Sequence, residues 1–161
     1  SDLTVDGLAT DIPDYARALI AQFWPGALTV VLKAQPSLMW DLGETGGTVA
    51  LRMPNDEIAL ALLAEVGPMA VSSANRTGYP ASRTVVEAAS QLGAAVEFYL
   101  DGGPVTGGLA STIVDCTRAE PVVLRQGAIS TEDILAVVAA ADTPYDLPES
   151  SAPDPESTTD E

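Results

Sequence analysis

Hydroxyl, amide and guanidinium side chains are concentrated in one short stretch, 68–84, with the sequence PMAVSSANRTGYPASRT. The apolar residues 69–71 predict the end of a buried strand, and Ser73 and Asn75 follow it closely. Arg83 stands directly before a predicted helix. Because the N-terminus of a helix favours negative charge, this arrangement suits an anion or a zwitterion. The same pattern is also typical of an ordinary strand–turn–helix connection that binds nothing.

The absence of histidine and the scarcity of cysteine exclude several common classes of active site. The 161 residues include no histidine, which excludes a Ser-His-Asp triad, a Cys-His pair and a His-ligated zinc site. The single cysteine, Cys116, cannot form an intramolecular disulfide, so we expect a buried small hydrophobe in a reducing compartment. Neither common nucleotide fingerprint is present, since no Walker A pattern occurs and no Gly-x-Gly-x-x-Gly follows a predicted strand.

The chain is strongly acidic, with 23 acids against seven bases and a formal net charge of −16. This balance does not suit a protein that wraps nucleic acid by neutralising its phosphates. Because bases are so few, the position of each arginine is informative about where an anion could bind. Four arginines stand at the ends of predicted strands or beside the 68–84 stretch: Arg52, Arg76, Arg83 and Arg125.

The last twenty residues, 142–161, differ in composition from the rest of the chain. They hold seven acids, four prolines and no base, and such segments cannot bury enough apolar surface to fold. We therefore expect a domain at 1–141 followed by an acidic, disordered tail at 142–161. No apolar run approaches the roughly 20 residues that span a bilayer and no signal peptide opens the chain, so we expect a soluble, cytoplasmic protein.

The elements that must position the 68–84 stretch alternate between helical and strand patterns, after a start at 1–10 without a clear pattern. Helices are predicted at 13–24, 55–67, 84–92 and 130–141, with Asn55, Thr84 and Ser130 as N-caps. Strands are predicted at 28–32, 48–53, 69–71, 96–100, 111–117 and 121–125. This order, with an apolar content dominated by Ala, Val and Leu, predicts an α/β fold with a mixed sheet.

Four segments, in their order and spacing, resemble the YrdC/Sua5 family of threonylcarbamoyl-AMP synthases over about residues 13–135. They are FWPGALTVVL at 23–32, TVALRMP at 48–54, SSANRTGYP followed by Arg83-Thr84, and DGG…GGLASTIVD…PVVLRQGAI at 101–129. The resemblance implies a twisted α/β domain with helices packed on a mixed sheet and an open, concave ligand cavity. It also implies synthesis of threonylcarbamoyl-adenylate and pyrophosphate from L-threonine, bicarbonate and ATP. The product would pass to the machinery that makes the t6A modification of tRNA.

Transferred residue by residue, the resemblance assigns Arg52, Ser73 and Ser111 to L-threonine and Thr48, Asn75, Arg83 and Arg125 to ATP. It assigns no catalytic residue and no protein metal ligand, and Mg²⁺ is expected on the phosphates of ATP. Arginine forks match carboxylate and phosphate oxygens. Carbamate formation and adenylyl transfer need positioning and charge neutralisation more than a protein nucleophile.

The sequence departs from the family pattern at two places. The family's Gly-x-Glu-Ser-Thr segment is GLAST at 108–112 here, without the glutamate. The family's amino-terminal Lys/Arg motif, which grips the ATP phosphates, has no counterpart, since the one lysine is Lys33. We therefore expect an amino-terminally truncated chain, or one with a misplaced start, that makes little or no product. Two alternatives stay open: a module that binds nucleotide or double-stranded RNA without turnover, although the net charge speaks against RNA, and an inactive fragment.

Overall fold

The computed structural model describes residues 2–105 and 108–142. The tail predicted at 142–161 therefore lies, apart from Asp142, outside the described residues. The elements alternate as an α/β fold requires, which confirms the predicted class. In chain order they are α1 (Asp2–Leu8), β1 (Ala9–Thr10), α2 (Asp14–Phe23), β2 (Leu28–Ala34), β3 (Thr48–Leu51), α3 (Glu57–Val66), α4 (Val85–Leu92), a 3₁₀ turn (Gly93–Ala95), β4 (Thr112–Asp115), β5 (Val122–Arg125) and α5 (Thr131–Ala141).

The five strands form one twisted, mixed sheet built around β2. Strand β2 pairs in parallel with β4 and antiparallel with both β1 and β3, and β5 pairs antiparallel with β4. The parallel register sets Leu28 opposite Thr112 and Val30 opposite Val114. Because the pairing is parallel, β2 and β4 both begin at the same end of the sheet.

The two faces of the sheet have different neighbours because side chains alternate along a strand. On β2, Leu28, Val30 and Leu32 are fully buried and pack with the apolar faces of α2 and α5. The intervening Thr29 points to the other face, as does Ile113 of β4, and both line a cavity there. The core on one face thus fixes which side chains the opposite face presents.

Helices α3, α4 and α5 begin at capping side chains that accept the unpaired N–H groups of the first turn, whereas α2 begins at Pro13 without such a cap. The predicted caps Thr84 of α4 and Ser130 of α5 are confirmed. The prediction for α3 is wrong by one residue, because Asp56 rather than Asn55 accepts from the main-chain N–H of Ala59, at 2.8 Å. Asparagine and aspartate are equally good caps, so the sequence could not decide between neighbours.

Two predicted strands are absent from the structure. Residues 69–71 and 96–100 pair with no strand among the described residues, and Val71 and Phe98 are 85% and 78% exposed. The predictions were wrong because a short, mostly apolar run forms a strand only where a neighbouring strand completes its hydrogen bonds.

The opposite error occurred at the beginning of the chain, where residues 1–10 showed no clear pattern. Residues 2–10 form α1 and β1, and Val5, Leu8 and Ala9 are buried in the core. Three apolar positions within one short helix and a two-residue strand are too few to establish a period, so the pattern could not reveal them. Within the described ranges, no helix combines the length and the hydrophobicity that crossing a membrane requires.

Candidate active site

An open cavity of about 1120 Å³ lies over the sheet face opposite α2 and α5. Its floor includes Thr29 and Ile113 from the central strands, and one wall is the stretch 48–53, which contains β3. A second wall comes from α3, and residues 67–73 close a third side. The open concave cavity implied by the resemblance is therefore present.

Five of the seven predicted site residues line this cavity, and two do not. Asn75 and Arg83 lie outside the lining, farther along the turn that begins at the cavity edge. The structure therefore brings together residues from three separate segments of sequence. The five lining residues are Thr48, Arg52, Ser73, Ser111 and Arg125.

Ser111 is the most constrained of these residues, and only 7% of it is exposed. The guanidinium of Arg125 donates to the main-chain carbonyl oxygen of Ser111, from Nη2 at 2.8 Å and from Nε at 3.2 Å. The same Nη2 lies 3.2 Å from the Ser111 hydroxyl. That hydroxyl is also 2.8 Å from Oγ1 of Thr29. A cation and a second hydroxyl thus fix the serine side chain at the cavity surface.

The segment that carries Arg125 is held against Ser111 by the buried side chain of Thr112. Its Oγ1 donates to the carbonyl oxygen of Ile129 at 2.6 Å and accepts from the N–H groups of Gly127 and Ile129 at 2.9 and 3.0 Å. A Cβ atom on Gly127 would collide with the carbonyl oxygen of Ala110. Glycine is therefore required here, because the two backbone segments approach so closely.

Arg52 enters the cavity from the end of β3. Its Nε donates to the carbonyl oxygen of Gly26 at 2.9 Å, and the N–H of Gly26 donates to the carbonyl oxygen of Met53 at 2.8 Å. The terminal Nη groups of Arg52 have no hydrogen-bond partner in the part of the chain that the structure describes. The side chain is thus anchored at Nε and presents a two-pronged donor, the geometry that binds a carboxylate.

Residues 72–83, which we call the Ser-Asn loop, carry Ser73, Asn75 and Arg83. The Nδ2 of Asn75 donates to the carbonyl oxygens of Arg76 and Tyr79 at 3.1 and 3.0 Å. Its Oδ1 is buried and has no partner among the described residues. Such an atom is costly to leave unpaired, so it marks a place where a donor from outside the chain could bind.

Arg83 ends the Ser-Asn loop at the N-terminus of α4. Its main-chain N–H donates to Oε2 of Glu87 at 2.7 Å, and the N–H of Glu87 donates to the hydroxyl of Thr84 at 3.2 Å. The cap predicted at Thr84 is confirmed, whereas Glu87 bonds the N–H of Arg83 instead of that of Thr84 and thereby fixes the backbone of Arg83.

The seven bases divide into two groups. Away from the cavity, Arg17, Lys33 and Arg118 each form an ion pair with an aspartate, at 2.7, 3.0 and 3.4 Å. The other four have no carboxylate within 4.0 Å in the described ranges, so their positive charge is not neutralised locally. These four are the arginines that the sequence singled out: Arg52, Arg76, Arg83 and Arg125.

The titratable groups with shifted pKa values lie outside the cavity lining. Burial raises the pKa of the Cys116 thiol to about 12, and burial likewise raises the pKa of Tyr15 to about 12. Hydrogen bonds from the hydroxyl and N–H of Thr117 hold the pKa of Asp115 below its usual value. Cys116 is fully buried, which confirms the predicted small hydrophobe. These groups stabilise the fold and none of them lines the cavity.

Two polar residues near the site were missed by the sequence analysis. Thr29 lies in the FWPGALTVVL segment, and its position between two buried residues of β2 is the signal that could have placed it at the cavity. Gln91 lies within α4 and binds the Ser-Asn loop. No signal in the sequence marks it, because a glutamine in a helix usually faces water.

Comparison with known proteins decides the family. Residues 3–127 match the profile of the Sua5/YciO/YrdC proteins, which carries the description "telomere recombination". The chain belongs to the Sua5/YciO/YrdC family. The threonylcarbamoyl-AMP synthase of Bacillus subtilis is 39% identical to it over 136 residues, covering 83% of this chain and 39% of that protein. A Mycobacterium tuberculosis relative, whose name gives the same activity provisionally, is 55% identical over 135 residues, covering 84% of this chain.

Solved structures of this family share the fold. Pyrococcus abyssi Sua5 in complex with L-threonine has a TM-score of 0.78 and 37% identity, over 85% of this chain and 41% of that one. Escherichia coli YciO has a TM-score of 0.67 and 25% identity, over 83% of this chain and 66% of that one. The chain spans about 62% of the length of the Mycobacterium tuberculosis relative.

Proposed function

We propose that this domain holds the L-threonine and ATP of a threonylcarbamoyl-AMP synthase. The observation that carries the proposal is the convergence of Arg52, Ser73 and Ser111 on one cavity, in a fold shared with a Sua5 protein that was solved with L-threonine. An arginine fork and two hydroxyls match an amino acid that bears a carboxylate and a hydroxyl group.

The anchored guanidinium of Arg52 suits the carboxylate of L-threonine. Its terminal Nη groups are available, and no carboxylate of the described residues lies within 4.0 Å of it, although Asp41 also lines the cavity. Ser111 suits the side-chain hydroxyl or the amine of the ligand, since Thr29 and Arg125 hold its own hydroxyl in place. Pre-oriented polar groups lose little entropy on binding and therefore discriminate well between ligands.

ATP enters this proposal as its Mg²⁺ complex, with the metal carried on the phosphates. The described residues hold no group of three acidic or cysteine side chains that could bind a metal ion. Thr48 and Arg125 lie on the cavity, and Asn75 and Arg83 follow along the Ser-Asn loop. We assign these four to the nucleotide. The buried, unpaired Oδ1 of Asn75 suits a hydroxyl or amino donor of the ligand.

The reaction would join the threonine amine to bicarbonate, with loss of water, to form a carbamate. A carbamate oxygen would then attack the α-phosphorus of ATP, and pyrophosphate would leave with the electron pair of the broken P–O bond. The residues of this chain orient the two substrates and balance negative charge. Such positioning is the main contribution that this chemistry needs from a protein.

The proposal is tested by following labelled bicarbonate into threonylcarbamoyl-adenylate. Because the amino-terminal Lys/Arg motif has no counterpart in this sequence, little product is expected. Any product should appear with an equal amount of pyrophosphate, and both should require L-threonine, bicarbonate and ATP together. If the protein binds ATP and L-threonine but makes no product, the module that binds without turnover is favoured. If neither ligand binds in a calorimetric titration, the cavity is not the substrate site and the proposal fails. Transfer of the product to a tRNA-modifying partner in the cytoplasm belongs to the same proposal.

A further inference from the structure

The side-chain amide of Gln91 is inserted into the Ser-Asn loop from α4. Its Oε1 accepts from the main-chain N–H of Arg76 at 2.9 Å. Its Nε2 donates to the carbonyl oxygen of Pro80 and to the hydroxyl of Ser82, both at 3.2 Å. That hydroxyl donates in turn to the carbonyl oxygen of Ala74, at 2.8 Å. One amide therefore connects both halves of the loop to the helix.

The Ser-Asn loop depends on such contacts because it contains neither helix nor strand. Most of it is exposed, so little apolar burial holds its shape. Inside it, Asn75 bonds the carbonyl oxygens of Arg76 and Tyr79, and the Arg76 guanidinium lies over the Tyr79 ring at 5.6 Å from its centre. The position of Asn75 is therefore tied, through Arg76, to the amide of Gln91.

We propose that Gln91 is a positioning residue for the nucleotide side of the site, acting through the Ser-Asn loop on Asn75 and Arg83. The proposal rests on the proposed function, since it takes those two residues as the ligands of ATP. Gln91 itself does not line the cavity, so it acts only through the loop. L-threonine depends less on it, because of its three assigned residues only Ser73 lies in the loop, whereas Arg52 and Ser111 belong to other segments of the chain.

The role needs an amide, since one end must accept and the other must donate. Gln91→Leu removes both functions while keeping a similar size. Gln91→Glu keeps an acceptor for the N–H of Arg76 but places a carboxylate beside the carbonyl oxygen of Pro80. A graded effect, larger for leucine than for glutamate, therefore distinguishes the hydrogen bonds from mere filling of space. Gln22, exposed on α2, provides the matched control, Gln22→Leu.

The test compares the 161-residue chain and these three variants in titrations with MgATP and with L-threonine. For Gln91→Leu we expect the Kd for ATP to rise at least about tenfold, since the three hydrogen bonds from Gln91 that order the loop are lost. The Kd for L-threonine should change less than about threefold, within the effect of a minor contact. The Kd of Gln91→Glu for ATP should lie between that of Gln91→Leu and that of the unchanged chain. Gln22→Leu should bind both ligands as the unchanged chain does.

Amide hydrogen exchange without ligand provides a readout that does not depend on binding. In Gln91→Leu the amide of Arg76 should exchange faster, whereas the amide of Ala88, bonded within the first turn of α4, should not change. An unchanged ATP Kd in Gln91→Leu overturns the proposal, and so does an equal loss of ATP and L-threonine binding. Absence of ATP binding in the unchanged chain would instead contradict the proposed function. If ATP does not bind and the amide of Arg76 still exchanges faster in Gln91→Leu, Gln91 has a purely structural role. That result also overturns the positioning proposal.

Discussion

The hydroxyl oxygens of Thr29 and Ser111 lie 2.8 Å apart, although 82 positions separate the two residues in the chain. The parallel pairing of β2 and β4 creates this contact, because Leu28 lies opposite Thr112 and the neighbouring residues meet at the same edge. Sheet register thus determines the orientation of a side chain that we assign to L-threonine.

Thr29→Val tests this relationship with a nearly isosteric side chain. The lost hydrogen bond should weaken L-threonine binding by about 0.5–1.5 kcal/mol, the usual contribution of one neutral hydrogen bond. Binding of ATP should change less, because the side-chain hydroxyl of Thr29 bonds Ser111 and none of the residues assigned to ATP. Calorimetric titration gives both values, and Ser90→Ala, which removes an exposed hydroxyl on α4, is the control. Unchanged L-threonine affinity would show that Ser111 needs no partner at this position.

Arg125→Ala should weaken ATP binding by about 1.5–3 kcal/mol, the range for a hydrogen bond to a charged group. The structure adds a second expectation, since Arg125 also holds both polar oxygens of Ser111. L-threonine binding should therefore fall as well. Arg118→Ala removes an equal charge from an exposed position outside the cavity and should leave both affinities unchanged. Unchanged ATP affinity in Arg125→Ala would mean that Arg125 orients Ser111 but does not bind ATP.

Asp115→Asn should reduce stability in a way that depends on pH. The pKa of Asp115 is lowered in the folded protein, chiefly by the two hydrogen bonds from Thr117. Its stabilising effect is therefore complete above the unfolded pKa of about 3.9 and is lost as the pH falls through the lower folded pKa. At pH 7 the free energy of unfolding of the variant should be about 1 kcal/mol lower than that of the unchanged protein. Urea titrations at pH 7 and below pH 3 should show the difference shrinking with acidification, and a difference that grows would contradict the assignment.

Cys116 should resist thiol reagents in the native protein. With a pKa of about 12, only about one thiol in 10⁴ is ionised at pH 8, and the thiolate is the reactive form. The side chain is also fully buried. Labelling with a coloured disulfide reagent should proceed at the rate of unfolding and become immediate in urea. Immediate reaction of the native protein would mean that β4 opens locally.

The sequence was sufficient where local chemistry decides the structure. The capping residues Thr84 and Ser130, the central strand at 28–32 and the paired strands near the carboxyl end were all predicted correctly. Prediction failed where a distant neighbour decides, as at 69–71 and 96–100, whose apolar residues have no strand beside them in the described ranges. For the site, the resemblance identified residue types, but only the register of β2 and β4 revealed Thr29.

The central claim is that the cavity beside Arg52 binds L-threonine, and a titration with L-threonine and L-valine tests it most directly. L-valine has the same carboxylate and a similar shape but lacks the hydroxyl. A site with the fixed hydroxyl of Ser111 should prefer L-threonine at least about tenfold, because L-valine offers no hydroxyl to bond with it. Arg52→Ala should abolish measurable binding of both amino acids. Equal affinity for the two ligands, or L-threonine binding that survives in Arg52→Ala, would contradict the account.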